Sequence, residues 1–520
     1  MNVPESWLRS FCNPPLSGRE LQERLTMAGV EAESYDPVAP QLSGIVVAEV
    51  LAVEKHPNAD KLTVCRVKAG KETLQVVCGA PNVRVGMKAP LARIGTKALR
   101  GVESQGMLCS ARDLKLSDDH SGLLELPQDA KTGADARAAL GLDDHVYTFK
   151  LTPNRADCLS VLGIAREVSA LTKSRLKPVE IRPVPANSKA RHAVKLSSPE
   201  GCGRFAGRVI RGVNASARTP DWMRTRLERA GQRPISALVD VTNYVMLELG
   251  RPLHVYDLDK LRGPIDVRWG RKGEKVLLLN GQEVEVDPSV LCITDDSGAI
   301  GLGGIMGGES TKADASTRNV FLESAFFYPE AVAGRARRYN FASDAAHRFE
   351  RGVDFANNVD GIERTTRLIL DICGGEPGPT ADTVARLPKR KPVAMRVARA
   401  QKIIGIRVQA KDMASAFSRL AFKFKARRGR FLVSPPSYRF DIAIEEDLIE
   451  EVARLYGFER IAAHPPRVAA AMLKTSESVR SLHALRERLV ASDYREVINF
   501  SFVEPAWEAD FAGEADPIRL

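Results

Sequence analysis

Short amphipathic runs, broken by glycine and proline, recur along this chain. Ser17 stands before Leu21, Leu25 and Ala28, and Gly29 follows them. That spacing predicts a short amphipathic helix with a start and a stop. The pattern changes after Pro37 and Pro40: Ile45-Val46-Val47 opens a strand, Leu62 to Val67 alternates with period two, and Leu74 to Cys78 is β-rich. Gly86 and Gly95 punctuate two more short segments. Closely spaced short strands with glycine turns predict a small β-barrel.

Helical patterning returns from Asp157 to Ala170, and Pro178 to Pro185 reads as a linker. Thr219-Pro220 is expected to cap a helix ending before Gly231, and Ser236 to Leu249 to form another, stopped by Gly250. From Ile265 to Leu322 the pattern is strand and turn, and it contains Gly301-Leu302-Gly303-Gly304-Ile305-Met306-Gly307-Gly308. A boundary is expected in 374–392, rich in glycine, proline and charge. Beyond it Asp412 is expected to cap a helix through Met413, Phe417 and Leu420. Arg428-Gly429 then joins two β-rich runs as a hairpin. Pro465-Pro466 marks the next boundary, followed by an expected helix Ser476 to Val490 and strand Val497 to Phe502. The sequence stops at Asp516 to Leu520 with no finished domain, so truncation is expected.

With 520 residues, several cores are needed. Apolar residues at 44% and charged residues at 27% are ordinary for globular domains. The chain has no uncharged apolar stretch of about 18 residues and no signal-peptide pattern at its start, so a cytoplasmic protein without a membrane partner is expected. The eight cysteines form no C-x-x-C pair, which argues against zinc knuckles and a disulfide framework. Net charge is +11. Residues 45–115 carry 12 basic and 6 acidic side chains, and residues 385–430 carry 15 basic side chains against one acid, Asp412. Two such regions point toward a nucleic-acid partner.

Candidate chemistry falls into three groups. The glycine cluster lacks the Gly-Lys-Ser/Thr of a P-loop, and Met306 breaks a dinucleotide fingerprint. It is either a tight turn region or a loop that lets a ligand approach bare backbone. In the acidic helix Ile444 to Tyr456, Ile444, Leu448, Val452 and Leu455 make an apolar stripe, while Asp447, Glu450 and Glu451 share a face with Asp441 just ahead. Such oxygens suit Mg²⁺ or form a solvated acidic face. His254 and His347 are candidates for acid–base or positioning work, or are structural. No Ser/His/Asp set or covalent nucleophile can be assembled.

Several longer runs resemble the beta subunits of bacterial phenylalanine–tRNA ligases. Val47 to Val50, His56 to Leu62 and Val77 to Val83 are similar to that family's tRNA-binding OB barrel. Asp240 to Met246 and Ala346 to Asp354 resemble its editing region, and Arg439 to Asp441 with Glu446 to Arg454 resemble its helix–hairpin domain. The resemblance implies an α+β multidomain fold. Residues 1–40 with 148–190 would form a discontinuous N-terminal α/β domain, 41–147 an OB-fold tRNA-binding domain and 200–385 a mixed α/β editing domain. Residues 393–468 would be a small α/β domain with the acidic helix, and 476–520 the start of an incomplete catalytic-like domain.

It further implies two alpha and two beta subunits, with ATP- and Mg²⁺-dependent joining of phenylalanine to tRNA(Phe) housed in the alpha subunit. The beta chain would bind tRNA and hydrolyse tyrosyl-tRNA(Phe). Thr242, Asn243, His254, Gly303, Gly304, Glu323, Ser343 and Ala345 would line the editing pocket. Ser343 replaces a threonine frequent in the family. Asp441, Asp447, Glu450 and Glu451 would hold Mg²⁺ shared with the alpha subunit, and Lys55, Lys61, Arg66, Lys88 and Arg93 would contact tRNA. Two other classes are open: a non-catalytic tRNA-binding scaffold, and a Mg²⁺-dependent hydrolase centred on Asp447.

Overall fold

The computed structural model describes every residue except 41–42, 94, 117, 119, 473–475 and 513–520. The expected stop at Asp516 to Leu520 lies outside the described residues. Two compact units result, Met1–Ile461 and Ala462–Leu520.

In the first unit, helix Gly18–Met27 starts where Ser17 predicts. The Ser17 hydroxyl accepts from Glu20 N–H, and the Glu20 carboxylate accepts from Ser17 N–H at 2.7 Å. Strand His145–Phe149 lies between Asn2–Pro4 and Ala32–Pro37 in an antiparallel sheet. Between these segments, five antiparallel strands curl in the order Glu72–Cys78, Thr63–Ala69, Ile45–Lys55, Lys88–Ala92, Met107–Leu108. The central strand breaks register between Val50 and Ala52, which lets it pair on both edges of a strongly bent sheet. Ala48, Val50, Cys65, Val67, Val76 and Leu91 fill its interior.

Residues 194–384 build two further sheets. One orders His254–Asp257, Asn319–Phe327 and Cys202–Arg211, with Glu376–Pro377 and Ala381–Val384 on the far edge. The other orders Val194–Leu196, Ile265–Trp269, Leu291–Asp295, Gly298–Leu302 and Met306–Gly307. Alternation along Asn319–Phe327 decides what each side meets. Val320 and Leu322 belong to the core shared with the N-terminal helices and helices Ala237–Leu249 and Asn358–Cys373. Phe321, Ala325 and Phe327 belong to the core shared with the second sheet. Glu323 lies on that second, apolar side.

A three-stranded sheet, Val393–Arg396, Arg430–Ser434 and Lys423–Arg427, packs with helices Ala410–Arg419 and Glu445–Tyr456 around its own core. Its hairpin turns at Arg428-Gly429, both at positive φ, as the sequence predicts. In the second unit, helices Leu482–Val490 and Pro505–Ala512 are formed.

Several local expectations need correcting. Thr219 does not cap its helix: its hydroxyl donates to Asp240 at 2.5 Å, and Pro220 takes the cap position. Gln409, not Asp412, precedes helix Ala410–Arg419, which starts a turn earlier than the acid suggests. Part of the expected boundary 374–392 is strand, Glu376–Pro377 and Ala381–Val384, because Cys202–Arg211 offers a free edge there. The later helix begins only at Leu482, capped by Ser481. Val497 to Phe502 is no strand, since the described residues of that unit offer no strand to pair its backbone with. Ile444 leaves the apolar stripe and is 56% exposed, because the helix starts only at Glu445.

Candidate functional site

A cavity of about 310 Å³ opens between the two sheets of residues 194–384. Thr242, Asn243, His254, Gly304, Glu323, Ser343 and Ala345 line it. Gly303 does not: it turns against Leu291, so its neighbours Leu302 and Gly304 form the wall.

The strands explain the convergence. His254 pairs directly with Glu323 across the antiparallel ladder, and Tyr256 follows two residues later on the same face. Arg251, fully buried, fixes the entry to the histidine strand by donating to the Ala325 carbonyl at 2.6 Å and the Asn357 side chain at 2.9 Å. The Tyr256 hydroxyl donates to Glu323 Oε2 at 2.5 Å. The two rings of His254 and Tyr256 meet edge to face at 4.4 Å.

Glycine is required beside the histidine. A Cβ on Gly307 would lie 2.4 Å from His254 Cε1 and 2.7 Å from Nε2. Gly304 has φ +71°, and a Cβ there would press on Phe327 at 2.9 Å. These two positions bring main chain up to the polar groups.

Burial sets the electrostatics. Glu323 is 7% exposed, and desolvation pushes its carboxyl up to about 7, partly opposed by the Tyr256 hydrogen bond. Burial lowers His254 to about 4, so its imidazole is neutral at neutral pH. His254 Nε2 is buried and has no hydrogen-bond partner. A buried polar nitrogen left open is costly unless something binds it. The cavity therefore offers an unused nitrogen and a carboxyl balanced between its two protonation states.

The remaining lining groups are less free. Ser343 caps helix Asp344–Phe349, accepting from Ala346 N–H at 3.0 Å and donating to the Ile305 carbonyl at 2.7 Å, so its hydroxyl is committed. The Thr242 hydroxyl donates back to the Val239 carbonyl at 2.7 Å. His347 is exposed and stands outside the cavity. Tyr256, Met306 and Gly307 line the cavity but were not among the expected residues. The His254-Val255-Tyr256 alternation is the signal that could have found the tyrosine.

The four acids expected to hold Mg²⁺ do not face a common point. Asp441 accepts from Arg439 at 2.7 and 2.9 Å. Asp447 accepts from the Ala443 and Ile444 N–H groups at 2.7 and 2.8 Å and so caps its own helix. Glu451 is buried between Arg439 at 2.9 Å and Arg454 at 2.6 Å, while Glu450 is exposed. Protein donors engage Asp441, Asp447 and Glu451, and among the described residues the four acids form no group placed to share an ion, so the residues present do not fit a Mg²⁺ ion within this chain. Arg454 reaches Glu451 from three residues along the same helix, and Arg439 comes from the segment ahead of it.

On the curled sheet, Lys55, Lys61 and Arg66 are exposed. Lys88 instead ties its ammonium to the Gln128 and Ala130 carbonyls, and Arg93 pairs with Glu72 at 3.2 Å. In the basic stretch 385–430, Arg396 and Arg399 pair with Glu445, and Arg399 also with Glu446, so the acidic helix neutralises part of that charge.

Comparison with known families and proteins finds three matches along the chain. Residues 45–135 match a tRNA binding domain, 201–374 a B3/4 domain and 393–458 a tRNA synthetase B5 domain. The chain is 56% identical over 537 residues to the phenylalanine–tRNA ligase beta subunit of Burkholderia lata. It is 57% identical over 542 residues to that of Cupriavidus pinatubonensis. Each alignment covers all of this chain and 66% of the relative's length. An N-terminal fragment of the phenylalanyl-tRNA synthetase beta subunit from Pyrococcus horikoshii covers 88% of this chain and 99% of its own. At 12% identity and a TM-score of 0.37, that likeness is too weak to argue from.

Proposed function

The chain belongs to the family of phenylalanine–tRNA ligase beta subunits, and from that premise we propose that it binds tRNA(Phe) and hydrolyses tyrosine wrongly esterified to it. The reading is carried by one observation: the buried Glu323–Tyr256 pair and the open His254 Nε2 share a recess walled by glycine main chain.

Tyrosine differs from phenylalanine by one hydroxyl, and an apolar pocket alone distinguishes such a pair only by about a hundredfold. A recess with buried hydrogen-bonding groups selects in the opposite direction. Phenylalanine would leave His254 Nε2 unpaired and Glu323 with only its Tyr256 bond, whereas the tyrosine hydroxyl can pair with one of them. Around pH 7 the Glu323 carboxyl can donate to or accept from that hydroxyl. Hydrolysis then needs a water placed against the ester carbonyl. The water oxygen bonds to the carbonyl carbon, the bond to the ribose oxygen breaks, and that oxygen takes a proton. Bare main chain at Gly304 and Gly307 leaves room for the esterified end.

The curled sheet and its exposed Lys55, Lys61 and Arg66 are assigned to tRNA. The ATP-dependent joining of phenylalanine is assigned to an alpha subunit, in an assembly of two alpha and two beta chains in the cytoplasm. Mg²⁺ is assigned to that joining reaction, and no step on this chain passes through it.

Replacing His254 or Glu323 by alanine is expected to slow clearance of tyrosyl-tRNA(Phe) by about 100-fold, the scale of losing a buried polar contact made to the substrate. Single-turnover hydrolysis with labelled tyrosyl-tRNA(Phe) reads this out. Clearance unchanged in both variants would leave the chain as a tRNA-binding scaffold.

A further inference from the structure

A second cavity, of about 680 Å³, shares no lining residue with the first. It lies where helix Gly18–Met27, the end of helix Val161–Thr172 and the small α/β domain meet. Arg24, Lys173, Arg419, Arg454 and Arg460 border it, against Glu20, Glu23 and Glu459. Several of these charges are already answered. Arg454 is held by Glu167 and Glu451, Glu459 lies 3.7 Å from Arg460, and Glu20 closes the capping box of its own helix. Arg24, Lys173 and Arg419 form no ion pair among the described residues. Arg24 and Lys173 stand exposed at the solvent side, as does Glu23, whereas Arg419 is half-buried.

The Arg419 Nε and Nη2 groups donate to the Ala170 and Leu171 carbonyls, the second at 3.2 Å, which fixes the guanidinium over the end of helix Val161–Thr172. Those carbonyls carry partial charge and offset only part of the cation. The charged groups that act on Arg419 are Arg24, Arg454 and Arg460, all of its own sign, and together with burial they press its pKa down. A half-buried cation among cations is costly unless an anion joins it. Apolar lining is present as well: Leu16, Met27, which is 48% exposed, and Tyr456, whose ring carries the Arg460 guanidinium at 5.7 Å. The volume is that of a small-molecule site and exceeds what a bare phosphate fills. We propose that this cavity binds a small organic phosphate, with the phosphate among Arg24, Lys173 and Arg419 and the apolar body against Leu16, Met27 and Tyr456. Phosphate oxygens accept charge-assisted bonds from guanidinium and ammonium groups. The apolar body covers the exposed methionine. Because its lining comes from three segments far apart in sequence, the ligand braces the small α/β domain against the N-terminal helices.

The test is calorimetric titration of the whole chain, at constant ionic strength, with phenyl phosphate, inorganic phosphate and phenol. Phenyl phosphate is expected to bind at least about tenfold more tightly than inorganic phosphate, the scale of covering one aromatic ring. Phenol, which lacks the charge, is expected not to bind measurably. The double variant Arg24→Gln/Lys173→Gln should weaken phenyl phosphate by at least about tenfold, the scale of one hydrogen bond to a charged group. Both side chains are exposed, so an unchanged thermal melting curve is expected and confirms folding. Lys195→Gln, an exposed lysine that does not border the cavity, should change nothing. No binding of phenyl phosphate, equal affinity for the two phosphates, affinity that survives the double variant, or an equal loss in Lys195→Gln overturns the site. None of these outcomes bears on hydrolysis of tyrosyl-tRNA, which uses other residues.

Discussion

The cavity beside the glycine strand and the joint around Glu167 and Glu451 both bury charge, and they handle it in opposite ways. At the joint every charged group has a partner. Arg454 donates to Glu167 at 2.5 Å and Glu451 at 2.6 Å, Arg155 donates to Glu167 at 2.7 Å, and Arg439 donates to Glu451 at 2.9 Å. Neighbouring arginines hold the Glu451 carboxyl well below its usual range despite burial. Asp157, Cys158 and Glu167 lie close enough to hold a metal ion, but Arg155 contacts all three, with Nη2 3.1 Å from the thiol and 2.7 Å from Glu167. At the cavity, Glu323 has one donor and His254 Nε2 has none, and burial alone moves both toward their neutral forms. A completed set of ion pairs ties segments distant in sequence together. An incomplete set leaves a polar atom open inside the cavity.

The contrast predicts different responses to neutralising one acid. Glu451→Gln removes a partner of two buried arginines and should destabilise the first unit by about 3–5 kcal/mol, measured by urea unfolding. Loss under 1 kcal/mol would show that the joint is solvated and would weaken the contrast. Glu323→Gln should act oppositely, and with a dependence on pH. The folded carboxyl titrates near 7 against 4.5 when exposed, so its stabilising neutral form is fully present below 4.5 and lost as pH rises through 7. Wild type should therefore lose up to about 3 kcal/mol relative to Glu323→Gln between pH 4.5 and 8, at about 1.4 kcal/mol per pKa unit. His254 has the opposite slope, losing stability as pH falls from 6.5 toward 4. Parallel pH profiles for the two proteins would mean that Glu323 is already charged and hydrated.

Local elements were legible where the chain carries its own signal. Ser17 with Glu20 gives a capping box, Arg428-Gly429 a hairpin turn, and Gly250 a left-handed helix stop. Expectations failed where a distant segment decides. Thr219 was drawn away by Asp240 and Asp441 by Arg439, and Arg439 also reaches Glu451 from outside its helix; only the Arg454 partner of Glu451, three residues on, was visible in the spacing. For the cavity, every residue the resemblance named lines it except Gly303, whose turn toward Leu291 depends on a neighbouring strand. The Tyr256–Glu323 bond required knowing that the two strands pair in that register. The docking of Leu278 and Leu279, beyond strand Glu274–Leu277, on Gly308 and Gly307 left no trace in periodicity at all.

The central claim is that this recess selects for a hydroxyl it can bond. The direct measurement is the rate at which the chain, with an intact alpha subunit, releases amino acid from tyrosyl-tRNA(Phe) and from phenylalanyl-tRNA(Phe) under identical conditions. Rapid release of tyrosine with phenylalanine retained is the predicted result. Equal release of both, or release of neither, would contradict it.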